Sequence, residues 1–149
     1  MNNLKEWKAL EHRYRTITLE EIEEAYHSDI YNTDHEEVST CLTGFGNTAK
    51  CTLCVAVKKE GKPFIMRDCC INCMWYIYVG CICMGSPLNK WLIFASTPPL
   101  IISTSDAKKT NITFNKLLTA DTPIKLLAAY KTRYRHMLKV EKQYKEKQK

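Results

Sequence analysis

Seven of the chain's eight cysteines fall between Cys51 and Cys83, a stretch of 33 residues. Within it, Cys51-Thr52-Leu53-Cys54 and Cys70-Ile71-Asn72-Cys73 form two C-x2-C pairs with fifteen residues between them. Each such turn aims two thiolates at one point, and two turns supply the four tetrahedral ligands that zinc takes in a structural site. The spacing lies within the window for such sites. A closed shell of four thiolates leaves no position for water, so it holds a fold together and performs no chemistry itself. With this many thiolates, an iron–sulfur cluster is the alternative occupant. His27 and His35 lie near enough in sequence to act as ligands, but the thiolates alone fill a zinc shell. Cys41 stands apart and reads as a spare, buried or partly buried thiol.

Paired cysteines mean metal rather than disulfide only where thiols stay reduced. The residues after Met1 include Lys5 and Glu6 and no apolar leader. The longest apolar run, Met74–Met84, is too short to span a bilayer. The expectation is a cytoplasmic protein with no membrane partner. A chain of 149 residues suits a single domain.

Charge divides that domain. Residues 1–37 carry four basic and ten acidic side chains, whereas residues 131–149 carry eight basic and two acidic. The reading along the chain is an acidic helical head (1–31), a metal-binding centre (51–87) and a basic C-terminal helix (122–149).

Leu4, Trp7, Leu10 or Glu11, and Tyr14 recur at helical spacing and predict a helix over about 3–15. Thr18 and Glu21 have the spacing of a capping box, and Ile17 and Ile22 sit where a hydrophobic staple places them. The helix so started turns Leu19, Ile22, Tyr26 and Ile30 inward and Glu20, Glu21, Glu23 and Glu24 outward. Those glutamates suit a solvated face or a contact for a basic partner. Residues 31–50, with Gly44 and Gly46, read as a loop.

Between the cysteine pairs, Leu53–Val57 and Pro63–Met66 flank Lys59-Glu60-Gly61-Lys62, the pattern of a hairpin. Met74–Val79 packs over the metal site, and Leu100–Ile102 suits a short buried strand or extended segment. A modest helix follows over about 106–120. Thr122-Pro123 then marks a helix start, with Ile124, Leu127, Tyr130 or Lys131, Tyr134 and Leu138 on its inner side. Its last ten residues look too polar to pack and are expected to fray or stay exposed. The fold class that follows is α+β: a small zinc-ribbon-like cysteine cluster with a short hairpin, packed between N-terminal and C-terminal helices.

The cysteine order resembles a group of small proteins encoded by bacteriophages and integrated elements. Their pattern is C-x-L-C, then C-x-x-C before an apolar residue, then C-x-G-[ST]-P. Here these are Cys51-Thr52-Leu53-Cys54, Cys70-Ile71-Asn72-Cys73-Met74 and Cys83-Met84-Gly85-Ser86-Pro87. Met74 stands where the group often has proline, and Leu88 where it commonly has an aromatic residue. The resemblance covers about a quarter of the chain. It implies Cys83 as a fifth candidate, so that four of Cys51, Cys54, Cys70, Cys73 and Cys83 hold the metal. It also implies a mobile-element origin, where small proteins often act by binding host machinery.

No paired carboxylates, Ser/His/Asp set or phosphate-cradling loop stands out, and Gly44-Phe45-Gly46 is no nucleotide motif without its strand and helix. The chain therefore reads as non-catalytic. Lys131, Arg133, Arg135, Lys139 and Lys142 put positive charge on the last helix, with Tyr134 interleaved. That combination neutralises phosphates and stacks on unpaired bases of RNA or DNA. The function expected is an anti-CRISPR-like inhibitor that binds a host protein or ribonucleoprotein defence complex. The alternative is a sequence-tolerant nucleic-acid-binding zinc protein acting as a regulator.

Overall fold

Helix-forming spacing at both ends of the chain produces the core. The computed structural model describes residues 4–28, 35–44 and 104–149. Among them, all regular structure is helical: α1 (Leu4–Thr16), α2 (Leu19–His27), α3 (His35–Thr43), α4 (Thr104–Leu118) and α5 (Pro123–Lys147). The α+β expectation is corrected accordingly, since the described residues contain no strand. The physical reason is that α1 and α5 pack directly on each other, with Tyr14 stacked on Tyr130 at 5.2 Å between ring centroids. No ribbon separates them along that seam. The hairpin at 53–66 and the segment Leu100–Ile102 lie outside the described residues.

The N-terminal helices form as the sequence dictates. Trp7, Leu10 and Tyr14 turn one face of α1 inward, each at most 1% exposed. Burying a large apolar side chain of this kind contributes roughly 1.5–3 kcal/mol. Thr18 and Glu21 close the capping box, with Glu21 N–H donating to Thr18 Oγ1 at 3.3 Å and Thr18 N–H to Glu21 Oε2 at 2.9 Å. Ile17 and Ile22 are both buried on either side of it. Arg13 then ties three helices together, donating to Glu21 Oε1 at 3.0 Å and to the Leu42 carbonyl at 2.6 Å.

Helix α3 occupies residues read as loop. Val38 is buried and Leu42 is half-buried four positions later, which gives the helix one narrow apolar stripe. Gly44, at φ 69°, ends it in the left-handed conformation that glycine enters without steric cost.

Helix α5 begins where expected. Thr122 Oγ1 accepts from Lys125 N–H at 3.3 Å, and Pro123 fills the first turn, where its missing N–H costs nothing. The expected inner face is corrected at its two ends. Tyr130 is buried and Leu127 and Tyr134 pack against the core, but Ile124 is 68% exposed and Leu138 is 42% exposed, while Leu126, Ala129, Arg133, Met137 and Val140 are buried. The helix is rotated because its buried side takes in polar residues, among them Arg133 and His136, which bond to α4. Arg133 Nη1 donates to the Thr110 carbonyl at 2.7 Å and to Thr113 Oγ1 at 2.9 Å. Its guanidinium stands 5.4 Å over the Phe114 ring, and His136 Nε2 bonds Thr110 Oγ1 at 2.7 Å. The expectation for the last ten residues is corrected in part. Lys142 and residues 145–149 are exposed, but Val140 and Glu141 are buried, Tyr144 packs against the core, and the helix runs to Lys147.

Candidate nucleic-acid interface

Successive residues on an α-helix advance about 100°, so positions 135, 139, 142, 146 and 149 share one side. On α5 and the residues just after it these are Arg135, Lys139, Lys142, Glu146 and Lys149, all exposed. The stripe runs about 21 Å at 1.5 Å per residue. Lys142 reaches Glu146 only at 3.9 Å, between side chains 78% and 60% exposed, so that pair does little to quench the positive field.

The six residues expected to touch nucleic acid therefore divide. Arg135, Lys139 and Lys142 face outward. Arg133 is fully buried among Thr110, Thr113 and Phe114, where it holds α5 to α4 and reaches no phosphate. Lys131 is half-buried, and its Nζ donates to the carbonyls of Tyr14, Arg15 and Ile17 at 3.3, 2.7 and 3.2 Å. Those are carbonyls at the C-terminal end of α1, so Lys131 caps that helix and meets the negative end of its dipole. Tyr134 is half-buried and packs against the core.

Residues of the acidic head complete the surface. Lys8 bonds Glu141 near the far end of α5, while Lys131 caps α1 at Arg15, so the two helices run antiparallel. Lys8, His12 and Arg15 recur at helical spacing on α1 and meet Tyr134 and Glu11 around a pocket of about 210 Å³. A second, more open hollow continues from Lys8 along Leu138, Lys142, Lys145 and Lys149. The two hollows share Lys8 and make a groove between α1 and α5 whose cations alternate with Glu11, Glu141 and Glu146. Arg15 Nη2 donates to His12 Nδ1 at 3.2 Å on one rim. Summed charge over residues 1–37 concealed these three side chains. The detectable signal was their shared face: 8, 12 and 15 are i, i+4 and i+7.

Two carboxylates brace the groove floor. Glu11 accepts from Trp7 Nε1 at 3.0 Å and from Lys8 Nζ at 2.8 Å, and Glu141 accepts from Lys8 and Lys145 at 2.5 Å each. Burial, together with the neighbouring Glu141, raises the Glu11 pKa. Burial also acts to raise Glu141, but hydrogen bonds from Glu11, Lys145 and Lys8 outweigh it and hold the group down at about 2. Burial works against the Lys8 ammonium, and its bonds to Glu11 and Glu141 more than offset that, raising its pKa. With their oxygens engaged by an indole and two ammonium groups, the carboxylates bridge α1 to α5.

Cys51, Cys54, Cys70, Cys73 and Cys83 lie outside the described residues. Among the described residues, no group of three or more His, Cys, Asp and Glu side chains could hold a metal. Cys41, expected to be partly buried, is exposed on α3, and His27 is exposed at the end of α2. Also among the described residues, no helix is long and apolar enough to cross a membrane. No known protein family, curated protein or solved structure matches the chain.

Proposed function

We propose that this is a non-catalytic protein that holds the phosphate backbone of a nucleic acid in the groove between α1 and α5. The observation that supports this is the placement of Arg15 on one helix and Lys142 and Lys149 on the other along the two hollows, beside Lys8 and Lys145, whose ammonium groups are shared with Glu11 and Glu141. Arg135 and Lys139 extend the cationic surface beside it. Such a surface binds by releasing condensed counterions, which makes affinity depend on salt and little on sequence. Binding of a labelled single-stranded oligonucleotide should weaken linearly in log salt, with a slope of about −0.7 per phosphate contacted. Reversing Arg15, Arg135 and Lys142 to glutamate should abolish binding while leaving the helical circular dichroism intact. Undiminished affinity in that variant would remove this reading.

A second reading extends the first: the protein inhibits a host nucleic-acid-guided complex in the manner of an anti-CRISPR protein. Its support is the exposed acidic set Glu20, Glu23 and Glu24 on α2, on the same core as the cationic groove. An acidic surface competes for a channel that normally holds RNA or DNA. A pull-down from a bacterial lysate, with and without nuclease, separates the readings. A stoichiometric protein partner that survives nuclease supports inhibition, and bulk nucleic acid alone supports the simpler binding protein.

In both readings, zinc held by four of Cys51, Cys54, Cys70, Cys73 and Cys83 stabilises the centre of the chain. Thiolates bind only when deprotonated and converged, so metal affinity adds to folding free energy. Purification under reducing conditions should yield a colourless protein with zinc, and Cys51→Ala should lower its solubility and melting temperature. A brown chromophore would assign an iron–sulfur cluster instead. A metal-free Cys51→Ala protein with an unchanged melting temperature would remove the metal site.

A further inference from the structure

We infer that one end of the groove, the open pocket formed by Lys8, Glu11, His12, Arg15 and Tyr134, receives one unpaired base, making the protein a reader of single strands. This rests on the backbone-binding reading above and adds the class of nucleic acid. Three features of the pocket point to it.

The first is its walls. Tyr134 is an aromatic residue on one helix and His12 an imidazole on the other, so two ring-bearing side chains border the same space. Tyr134 also packs against the core, which fixes its ring in place before any ligand arrives. A pre-ordered aromatic wall loses little rotamer freedom when a base stacks on it. The second is the rim. Lys8 and Arg15 stand seven positions apart on α1, about 10 Å along its axis, and both border the pocket. Lys8 is held by Glu11 and Glu141, so a strand crossing there would place a phosphate against Arg15 and turn the adjacent base inward. The third is position. The space, about 210 Å³ and open to solvent on one side, is bordered by side chains of two helices, so it suits a base turned out of a strand rather than one paired and stacked in a duplex.

The outer stripe of Arg135, Lys139 and Lys142 has none of these features and holds any backbone alike. The two surfaces therefore have separable roles, with the stripe supplying charge and the pocket supplying strand selectivity.

The test compares fluorescence-polarisation affinities of the full chain for a single strand, its duplex, and the same strand with abasic sites, at one salt concentration. Stacking one base is worth about 1–3 kcal/mol, or roughly 5- to 150-fold in affinity. Tyr134→Ala should weaken single-strand binding by that factor and leave duplex binding unchanged, while Tyr134→Phe should bind like the parent chain. The abasic strand should lose the same factor against the parent protein and lose nothing further against Tyr134→Ala. Because the abasic arm uses the unaltered protein, the result stands even if Tyr134→Ala fails to fold. Equal affinity for intact strand, abasic strand and duplex would overturn the base pocket while leaving backbone binding in place. Absence of binding to all three would overturn both.

Discussion

Arg133 and Arg135 leave the same helix two residues apart and enter opposite surroundings. Arg133 is fully buried, bonded to Thr110 and Thr113 and lying over Phe114. Arg135 is exposed on the stripe that it shares with Lys139 and Lys142. The inner face of α5 thus uses a cation as packing material, and the outer face presents cations to solvent. Counting positive residues along the helix overstates its capacity for phosphates, because some of those charges are spent inside the protein.

That contrast breaks most readily at Arg133. Its replacement by alanine leaves a cavity and strips the Thr110 carbonyl and Thr113 hydroxyl of a donor, at a cost of roughly 2–4 kcal/mol. Arg135→Ala should change stability by no more than about 0.5 kcal/mol. Urea denaturation of the two variants checks this, and equal losses would mean the two faces do not differ as described.

Acid sharpens the same comparison at Glu141, which is buried on the inner side of the groove. Its pKa of about 2 in the folded protein lies below the ordinary 4.5. A depressed carboxyl contributes stability above its unfolded value and loses it as pH falls from about 4.5 through about 2. Glu11 is raised, so it works in the opposite sense, with its contribution present below the unfolded value and lost as pH rises through the folded one. Melting temperature should therefore fall with acid in the parent chain, fall less steeply in Glu141→Gln, and fall more steeply in Glu11→Gln. Identical acid limbs in all three would show that the brace carries no linked stability.

The smallest effects come from two lysines with different tasks. Lys131→Ala removes the cap on α1 and should cost about 0.3–1 kcal/mol. Lys142→Ala should leave stability unchanged and instead reduce the single-strand salt slope by about 0.7. A calorimetric scan beside a salt titration distinguishes the two.

Much of this frame was legible in the residues. Helix α1, the Thr18–Glu21 capping box and the Thr122-Pro123 start are local arrangements, fixed by side chains within four positions of one another. The face of α5 was not legible, because a search for apolar side chains passes over Arg133 and His136. Their burial depends on Thr110 and Thr113, 20 to 26 positions away. Helix α3 was hidden by its brevity, since nine residues with Val38 and Leu42 make a weak period. The α1 wall of the groove was masked by its glutamate-rich neighbours.

The pairing of α1 with α5 also sets how the chain must search for its fold. Lys8 and Glu141 are 133 positions apart, and Lys131 and Arg15 are 116 apart. Closing a flexible loop of that length costs roughly 4 kcal/mol by the logarithmic chain-entropy relation. Helical proteins fold fast when their contacts are local, and this seam is about as non-local as the chain permits. A metal that gathered the central cysteines first would shorten the effective loop before α5 met α1. Without such a clip, the protein combines helical secondary structure, which forms within about a microsecond, with a docking step whose slowness belongs to long-range topology.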